Sequence, residues 1–261
     1  MTEKSSYEPG TPSWVDLSSP DLAASKEFYG GLFGWDHAEA GDPAQTGGYG
    51  FFTKDGKQVA GVMQQESGPP AWTSYISIDD VDGVAARASE AGGQVMMEPM
   101  DVLDAGRMAI IIDPSGAVLG VWQPGEHHGA QLVNEPGGLS WNEHTSRDPE
   151  KAQDFYGQLF GWAFNKLDDS QVDYWTFHLD GAAGPVGGMI RMTEQWPAEV
   201  PAHWAVYFAC EDTDATVEKA KQSGGGVTVE ALDSPPGRIA GLSDPHGTTF
   251  SVIALNPDFT G

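Results

Sequence analysis

The alternation of apolar and polar residues predicts a strand followed by a helix near the start of the chain. The segment Trp14–Leu17 places every second side chain on the same side, as a half-buried strand does. Ser19 and Pro20 follow, and a capping residue before a proline often begins a helix. One apolar helix face is made of Phe28, Tyr29, Leu32 and Phe33. Gly34 then supplies the left-handed residue that ends many helices.

Shorter apolar runs after this helix predict a sheet. The runs "YGFFTK" and "QVAGVMQ" are separated by a turn, and a strand at 73–79 leads into a helix that starts at Asp79 and Asp80 and runs through Ala91. Three more strands are predicted near 94–98, 107–112 and 117–122. A "DPSG" turn precedes the last of them. The pattern therefore predicts two successive βαβββ modules.

The same pattern occurs twice along the chain, which indicates an internal duplication. The phrase "FYGGLFGW" at Phe28–Trp35 returns as "FYGQLFGW" at Phe155–Trp162, 127 positions later. The segments "AGVM", "YISIDDVDGVAARASEAGG" and "GRMAIIIDPSG" return as "GGMI", "YFACEDTDATVEKAKQSGG" and "GRIAGLSDPHG", at offsets between 127 and 132. The sequence therefore predicts two homologous domains, at 10–126 and 137–256, joined by a linker at 127–136.

Size and charge narrow the class of protein. A chain of 261 residues can hold two domains, each with its own core, and an aromatic content of 10% favours a globular protein. The 38 acidic and 13 basic residues give a formal net charge of −25. Such a charge repels phosphate backbones and anionic lipid, so we expect neither nucleic acid nor a membrane as a partner. The acidity favours solubility, and a high-salt setting is the alternative explanation.

The cysteine content and the start of the sequence favour a cytoplasmic protein. Cys210 is the only cysteine, which excludes an internal disulfide. The first residues, "MTEKSSYEPG", lack the apolar segment of a secretory signal. No stretch reaches the roughly 18 apolar residues that a membrane span needs. We therefore expect a soluble protein of the cytoplasm.

Four features of the chain are shared with a known family. They are a first β-strand, a capped helix ending in FYxxLFGW, a later "DDVD" helix and a "DPxG" turn before the last strand. In these features the chain resembles the vicinal oxygen chelate superfamily, which contains glyoxalase I, extradiol dioxygenases and bleomycin-resistance proteins. The tandem arrangement is similar to that of two-domain glyoxalase-like proteins common in actinobacteria. The resemblance implies an α+β fold in which each domain pairs two βαβββ modules, and their mixed sheet curls into a half-barrel around a ligand cavity.

The resemblance also implies where metal ligands would lie. Family members place His or Glu at the start of the first strand, at the start of the fifth strand and after the "DPxG" turn. The matching positions are Trp14, Thr73 and Gly120 in the first half and Trp141, Ala205 and Ser251 in the second. None of these is a good ligand for a divalent metal. We therefore expect no metal and no cofactor, which argues against a metal-dependent glyoxalase or dioxygenase.

The seven histidines do not replace these ligands. His127 and His128 are neighbours in the linker and point to opposite sides of it. His144 is out of phase with Trp141, so it should face the helices rather than the cavity. The others show no spacing typical of metal ligands, and we expect surface or core positions for all seven.

Side chains in phase with the implied ligand positions should line the cavity, because side chains alternate across a strand. They are Trp14, Asp16, Tyr75, Ser77 and Trp122 in the first half and Trp141, Glu143, Tyr207 and Ile253 in the second. Arg107 and Arg238 begin matching strands and are expected to reach in from the rim. An aromatic concavity with a few polar groups is typical of sites for small apolar or planar ligands.

Two carboxylates are the candidates for chemistry. Asp16 and Glu143 occupy equivalent places, and an aromatic pocket raises the pKa of a carboxyl group. We interpret them as general acids or bases, with Tyr75 or Tyr207 as hydrogen-bond donor. The alternative is a carboxylate that is bridged to one of the two arginines and only ties strands together.

Two classes of function remain. The first is a metal-independent enzyme, such as a lyase, isomerase, cyclase or ring-opening hydrolase, that acts on a small aromatic or polyketide-like metabolite. The second is a non-catalytic protein that sequesters a drug or metabolite, as bleomycin-resistance relatives do. In both classes the partner is a small-molecule ligand, and one working site per chain is expected. The protein is expected to be a monomer, with its halves forming a pseudo-dimer, or a homodimer.

Overall fold

Each half of the chain forms one eight-stranded sheet with helices on one face. The structure is a computed structural model and describes residues 3–168 and 172–257. The elements of the first half are β1 (Pro12–Ser19), α1 (Leu22–Phe33), β2 (Asp36–Glu39), α2 (Pro43–Thr46), β3 (Gly50–Lys54), β4 (Lys57–Gln64), β5 (Ala71–Ser77), α3 (Val81–Glu90), β6 (Gln94–Val102), β7 (Gly106–Ile112) and β8 (Val118–Pro124). The elements of the second half are β9 (Leu139–Ser146), α4 (Pro149–Phe160), β10 (Ala163–Lys166), β11 (Tyr174–His178), β12 (Gly187–Arg191), β13 (His203–Ala209), α5 (Thr213–Gln222), β14 (Gly226–Ser234), β15 (Gly237–Ser243) and β16 (Thr249–Leu255).

The two sheets have equivalent strand orders, which confirms the α+β fold built from paired βαβββ modules. The orders are β2-β3-β4-β1-β5-β8-β7-β6 and β10-β11-β12-β9-β13-β16-β15-β14. Strand β1 pairs in parallel with β4 and antiparallel with β5, and β9 pairs in the same way with β12 and β13. The first strands of the two modules therefore lie side by side at the centre of each sheet. Over the described residues neither sheet closes into a barrel.

The first helix of each half starts at an aspartate and ends at a glycine. Asp21 caps α1 and Asp148 caps α4, each accepting a hydrogen bond from a backbone N–H of the first turn. The prediction that Ser19 caps α1 is wrong. Ser19 is the last residue of β1, and its Oγ accepts a hydrogen bond from Asp21 N (3.1 Å). Gly34 and Gly161 end the helices with φ of 69° and 71°, as expected. In the described part of the chain, no helix has the length and apolar character needed to cross a bilayer.

The helical faces of the two sheets meet in the middle of the molecule. Phe33 of α1 lies against Phe208 of β13, with ring centroids 5.4 Å apart. Ser74 of β5 donates a hydrogen bond to Asn142 of β9 across the same interface (2.7 Å). The repeated FYxxLF helix is therefore core, as expected, but part of the core that it fills lies between the domains. The opposite face of each sheet, called the cavity face below, looks away from this interface.

The tryptophans that end the repeated phrase occupy equivalent buried places. Trp35 donates a hydrogen bond from Nε1 to the carbonyl oxygen of Gly137 (2.7 Å). Trp162 donates to the carbonyl oxygen of Gly10 (2.8 Å). Each glycine precedes the first strand of the other domain, so the two bonds join the domains reciprocally.

The aspartates of the "DPxG" turns also belong to the interface. Asp113 accepts a hydrogen bond from Tyr156 OH (2.9 Å) and lies 2.8 Å from His144 Nε2, with both ion-pair side chains fully buried. Burial opposes the charge on Asp113, but the hydrogen bond and the charge of His144 outweigh it and lower the pKa of Asp113 to about 2. His144 therefore faces the helical side of its sheet, as expected.

The equivalent cluster in the other half lacks the histidine. Asp244 accepts a hydrogen bond from Tyr29 OH (3.3 Å), as Asp113 does from its tyrosine. Leu17 stands at the position that matches His144 in the repeat and is fully buried. One side of the interface thus contains a buried ion pair where the other contains an aliphatic side chain.

Candidate functional site

A buried carboxylate with two phenol partners lies at the centre of the first sheet, on its cavity face. Asp16 of β1 accepts hydrogen bonds from Tyr75 OH (2.9 Å) and Tyr49 OH (3.5 Å). Trp14 donates from Nε1 to Tyr49 OH (2.9 Å), which extends the network. The strand register places Trp14 opposite Tyr75. The structure therefore brings together three of the predicted residues on one face of the sheet.

The second sheet repeats this network around Glu143 of β9. Glu143 accepts a hydrogen bond from Tyr207 OH (3.1 Å) and another from Tyr174. Trp141 donates from Nε1 to Tyr174 OH (3.0 Å). The predicted set of Trp141, Glu143 and Tyr207 is thus also brought together. Each domain holds a chain of contacts that runs from tryptophan through tyrosine to a carboxylate.

Tyr49 and Tyr174 are candidates that the sequence analysis missed. They lie 125 positions apart (174 − 49), outside the range of offsets expected for the repeat, so they do not align by simple spacing. A signal was present in Gly61 and Gly188, which pair with the two carboxylate residues. A Cβ at Gly61 would lie 1.9 Å from the hydroxyl of Tyr49, and one at Gly188 would lie 2.0 Å from that of Tyr174. Only glycine leaves room for these phenols.

Both carboxyl groups titrate near neutral pH. Burial raises the pKa of Asp16 to about 7 and that of Glu143 to about 7, although the hydrogen bonds from the tyrosines act in the opposite direction. Burial and the adjacent carboxyl groups also raise the pKa of Tyr75 and of Tyr207 well above the usual value. A carboxyl group with a pKa close to 7 can donate or accept a proton at physiological pH. The arrangement can therefore perform general acid–base chemistry.

The remaining apolar candidates also lie on the cavity face. Trp122 of β8 is paired with Ser77 of β5, and both side chains are buried. Ile253 of β16 is paired with Ala209 of β13 and is buried in the equivalent place of the second sheet. The first cavity therefore has an indole where the second has an aliphatic side chain, as the sequence indicated.

The prediction that Arg107 and Arg238 reach into the cavities is wrong. Their partners are exposed aspartates, namely Asp82 and Asp101 for Arg107 (2.8 Å each), and Asp214 (2.6 Å) and Asp233 (2.8 Å) for Arg238. Arg107 alternates with Met108, and Met108 is paired with Trp122 of the cavity face. The guanidinium therefore lies on the helical side, where it binds α3. Among the described residues, the partners of Asp16 and Glu143 are tyrosines and not arginines, so the alternative role of these carboxylates as ion pairs with Arg107 or Arg238 is also wrong.

A linker residue occupies the first cavity. The ring of His127 lies against Trp14, Phe51 and Trp122, with ring centroids 4.4, 5.6 and 5.7 Å apart. His127 Nδ1 is 3.1 Å from Gln58 Oε1, and its Nε2 is buried with no hydrogen-bond partner among the described residues. From its sequence position, His127 is expected only on the surface or in the core. Its place against Trp14 instead puts it in contact with the carboxylate network.

The second cavity is more accessible than the first. Trp14 and Tyr75 are only 4% and 6% exposed, whereas their counterparts Trp141 and Tyr207 are half-buried. Over residues 3–168 and 172–257, no aromatic ring packs against Trp141 as His127 packs against Trp14. A ligand can therefore approach the Glu143 network more easily than the Asp16 network.

Two family models match the chain, one in each half. Residues 11–121 match the Glyoxalase/Bleomycin resistance protein/Dioxygenase superfamily, and residues 143–253 match the Glyoxalase-like domain. Each matched range includes one of the two carboxylates together with its tyrosine partners.

Similar proteins extend over almost the whole length of the chain. "Putative glyoxylase CFP32" of Mycobacterium bovis is 43% identical and covers 98% of this chain and 99% of its own. "Anthracycline biosynthesis protein DnrV" of Streptomyces peucetius is 40% identical and covers 97% of this chain and 96% of its own. The relatives therefore share the full tandem length.

Solved structures share the fold at low sequence identity. The Mn(II)-bound glyoxalase from Novosphingobium aromaticivorans has a TM-score of 0.63 and 16% identity, covering 94% of this chain and 82% of its own. The 2,2',3-trihydroxybiphenyl 1,2-dioxygenase from Sphingomonas wittichii strain RW1 has a TM-score of 0.63 and 12% identity, covering 97% of this chain and 93% of its own. At these identities the likeness concerns the fold alone.

The cavity residues do not fit the metal ion that such a fold can hold. Asp16 is paired with Thr73 and Gly61, and Glu143 is paired with Ala205 and a glycine, so each network contains a single carboxylate. In the described part of the chain, no group of three or more His, Cys, Asp or Glu side chains could hold a metal ion. Phenols with a raised pKa are poor substitutes, because a metal ligand must give up its proton.

Proposed function

The chain belongs to the Glyoxalase/Bleomycin resistance protein/Dioxygenase superfamily, and we propose that it binds a small aromatic metabolite on a cavity face without a metal ion. The observation that carries this proposal is the duplicated network of tryptophan, two tyrosines and a buried carboxylate. Indole and phenol rings supply contact area for a planar ligand, and one carboxyl group supplies a hydrogen bond that orients it.

The relatives support an aromatic natural product as the ligand. Two proteins that are 40% and 41% identical to this chain are named for anthracycline biosynthesis. An anthracycline carries a planar polycyclic ring system, which suits the tryptophan and tyrosine side chains of the cavity face. We propose a ligand of this type for this chain.

The proposed chemistry is proton transfer, as in a lyase, isomerase or cyclase. A carboxyl group that is half-ionised near pH 7 can take a proton from a ligand C–H or O–H and return it to another ligand atom. Tyr207 holds the Glu143 carboxyl group in place through its hydroxyl, and Tyr75 does the same for Asp16. Of the two sites, the one at Glu143 is proposed to be the working site, because Trp141 and Tyr207 are less deeply buried than Trp14 and Tyr75.

Sequestration without chemistry is the second candidate. Each carboxyl group already accepts hydrogen bonds from two phenols, so the network can serve as a rigid wall for a bound ligand. In that case the dominant contributors to affinity are the tryptophans Trp14, Trp122 and Trp141, because buried aromatic anchors carry most of the binding energy of such sites.

Paired substitutions separate the two candidates. A thermal-shift screen of aromatic natural products identifies a ligand, since ligands that bind only the native state raise its melting temperature. With that ligand, Glu143→Gln should lower turnover roughly 10²–10⁴-fold with little change in affinity, because it keeps shape but removes the proton acceptor. Asp16→Asn is the matched control in the covered first domain and should have a much smaller effect. Kinetics and calorimetry on the same preparations measure both quantities.

Other outcomes of this experiment contradict the proposal in different ways. If both carboxylate changes are silent and Trp141→Ala weakens binding by more than about 1 kcal/mol, the protein sequesters its ligand. Two equal, independent sites per chain in calorimetry would contradict the assignment to the second domain. Stoichiometric zinc, nickel or iron in the purified protein by elemental analysis would contradict metal independence.

A further inference from the structure

We propose that His127 is the gate of a separate ligand site in the first domain, and that its imidazole fills an aromatic box which accepts a planar nitrogen heterocycle when the side chain rotates out. The aromatic box is defined by Trp14, Phe51 and Trp122. The inference rests on the proposed function only in taking the cavity face as the ligand surface. It adds a ligand class and a device that controls access.

All three side chains of the aromatic box pack against the imidazole ring of His127. Trp14 and Trp122 meet the imidazole edge-to-face, at interplanar angles of 79° and 70°, and Phe51 is tilted by 31°. These arrangements are the ones that aromatic pairs prefer, and they suit any flat ring of similar size. Trp14 in turn donates to the hydroxyl of Tyr49, which contacts Asp16. A ring in the box is therefore adjacent to the carboxylate network.

One polar group of the box, the Gln58 side-chain oxygen, favours a ring that carries an N–H donor. Gln58 Oε1 lies 3.1 Å from one ring nitrogen of His127. The other nitrogen, Nε2, is buried and has no partner among the described residues. A buried nitrogen without a hydrogen bond is unfavourable, so the imidazole is an imperfect occupant. Burial also lowers the pKa of His127 to about 4, with a further contribution from His128, so the ring is neutral in the box.

Only the side chain needs to move for the gate to open. The backbone around His127 is held by hydrogen bonds from Glu126 N to Asp104 O (3.0 Å) and from His127 N to Ala105 O (3.0 Å). On the solvent side the same histidine lines an open pocket of about 550 Å³, together with Tyr7, Gln58 and His128. This pocket can receive the imidazole after rotation about its χ angles. His127 therefore separates an outer pocket from the inner network.

The experiment uses 4-methylimidazole, which has the structure of the missing side chain, as the probe. His127→Ala should leave a vacant box, and saturating probe should raise its melting temperature by about 2–4 °C, as ligand binding does in a chain of this size. Tryptophan fluorescence should change at the same time, because two walls of the box are indoles. Wild-type protein and His128→Ala, which changes the exposed neighbour, should respond only weakly and at higher probe concentration, because their own imidazole must first rotate out of the box.

A further variant serves as a control for the shape of the box. His127→Leu refills the box with an aliphatic side chain and should ignore the probe. If His127→Ala folds only with 4-methylimidazole present, the proposal is supported; if it does not fold even then, the proposal is overturned. An equal response in wild type, no response in His127→Ala, or no response of the wild type even at the highest probe concentration also overturns it. These results concern the first domain alone, so they are distinguishable from a failure of the proposed chemistry at Glu143.

Discussion

In the first domain the carboxyl group of Asp16 lies behind two nearly buried aromatic side chains and a histidine ring from the linker. In the second domain Glu143 has the same kinds of partners, but Trp141 and Tyr207 are less deeply buried than their counterparts Trp14 and Tyr75. The hydrogen-bond pattern is thus repeated in both domains, but the residues that shield it from solvent are different. The network sits on central strands whose register and glycines fix it, whereas access is set by a linker that occurs once.

The interface between the domains also combines a repeated backbone geometry with side chains that differ between the halves. Tyr29 and Tyr156 each donate to the aspartate of a "DPxG" turn in the opposite domain. Only one of these aspartates also meets a histidine, because His144 corresponds to Leu17 in the repeat. The backbone geometry of the halves is equivalent, and single side chains make the two ends of the interface different in charge.

The largest expected effect tests whether the two halves are equivalent as structural units. Trp35→Ala and Trp162→Ala should each lower the free energy of unfolding by roughly 3–5 kcal/mol, because each removes a buried indole and a hydrogen bond to the other domain. Urea unfolding of the two variants and of Met96→Ala, whose side chain is 65% exposed, measures the difference. A loss below about 1 kcal/mol for either tryptophan would mean that the repeated phrase is not core in that half.

Much of this architecture could be predicted from the sequence, because it follows from local patterns. The alternation in Trp14–Leu17 gives a strand with Asp16 on one face, and the "FYxxLFGW" phrase gives a buried helix and its end. These features depend on residues close together in the chain, and the repeat doubles the signal. The repeat also places Asp16 and Glu143 at equivalent positions, and in the structure each accepts a hydrogen bond from the tyrosine of the neighbouring strand.

What the sequence could not show depends on residues brought together from distant segments. Tyr49 reaches Asp16 only because Gly61 lacks a side chain on the neighbouring strand. His127 enters the first cavity because the chain folds back across it after β8, which no periodicity reveals. The place of Arg107 at the start of β7 suggests the rim of the cavity, but the alternation along that strand directs its side chain to Asp82 on the helical side.

The next effect concerns the asymmetric interface. His144→Leu makes this end resemble the end at Leu17, and it should lower the free energy of unfolding by about 1.5–3 kcal/mol, the usual contribution of a hydrogen bond to a charged group. The exposed His128→Ala serves as the control. The folded-state pKa of Asp113 is lowered to about 2, so the contribution of the pair is present above about pH 4 and is lost as the pH falls through 2. A difference that stays the same at pH 2 and pH 7 would show that this ion pair is not its source.

The smallest expected effect is the difference in pH-dependent stability between variants of the two carboxyl groups, which are shielded from solvent to different extents. Burial raises both folded-state pKa values to about 7, so the native state binds more protons than the unfolded state between about pH 4 and 7. The stability that these groups favour is therefore present below about pH 4 and is lost as the pH rises through 7. Asp16→Asn and Glu143→Gln remove the charge, and each should stabilise the protein at pH 8 by up to roughly 3 kcal/mol relative to its effect at pH 4, since one pKa unit corresponds to about 1.4 kcal/mol. The difference between the two gains is the small effect, on the order of 1 kcal/mol or less. The gain should be larger for Asp16→Asn, because Trp14 and Tyr75 beside Asp16 are more deeply buried than Trp141 and Tyr207 beside Glu143. Urea unfolding at pH 4, 6 and 8 gives the comparison, and equal gains would show that the linkers and loops over the two sites exclude water to the same extent.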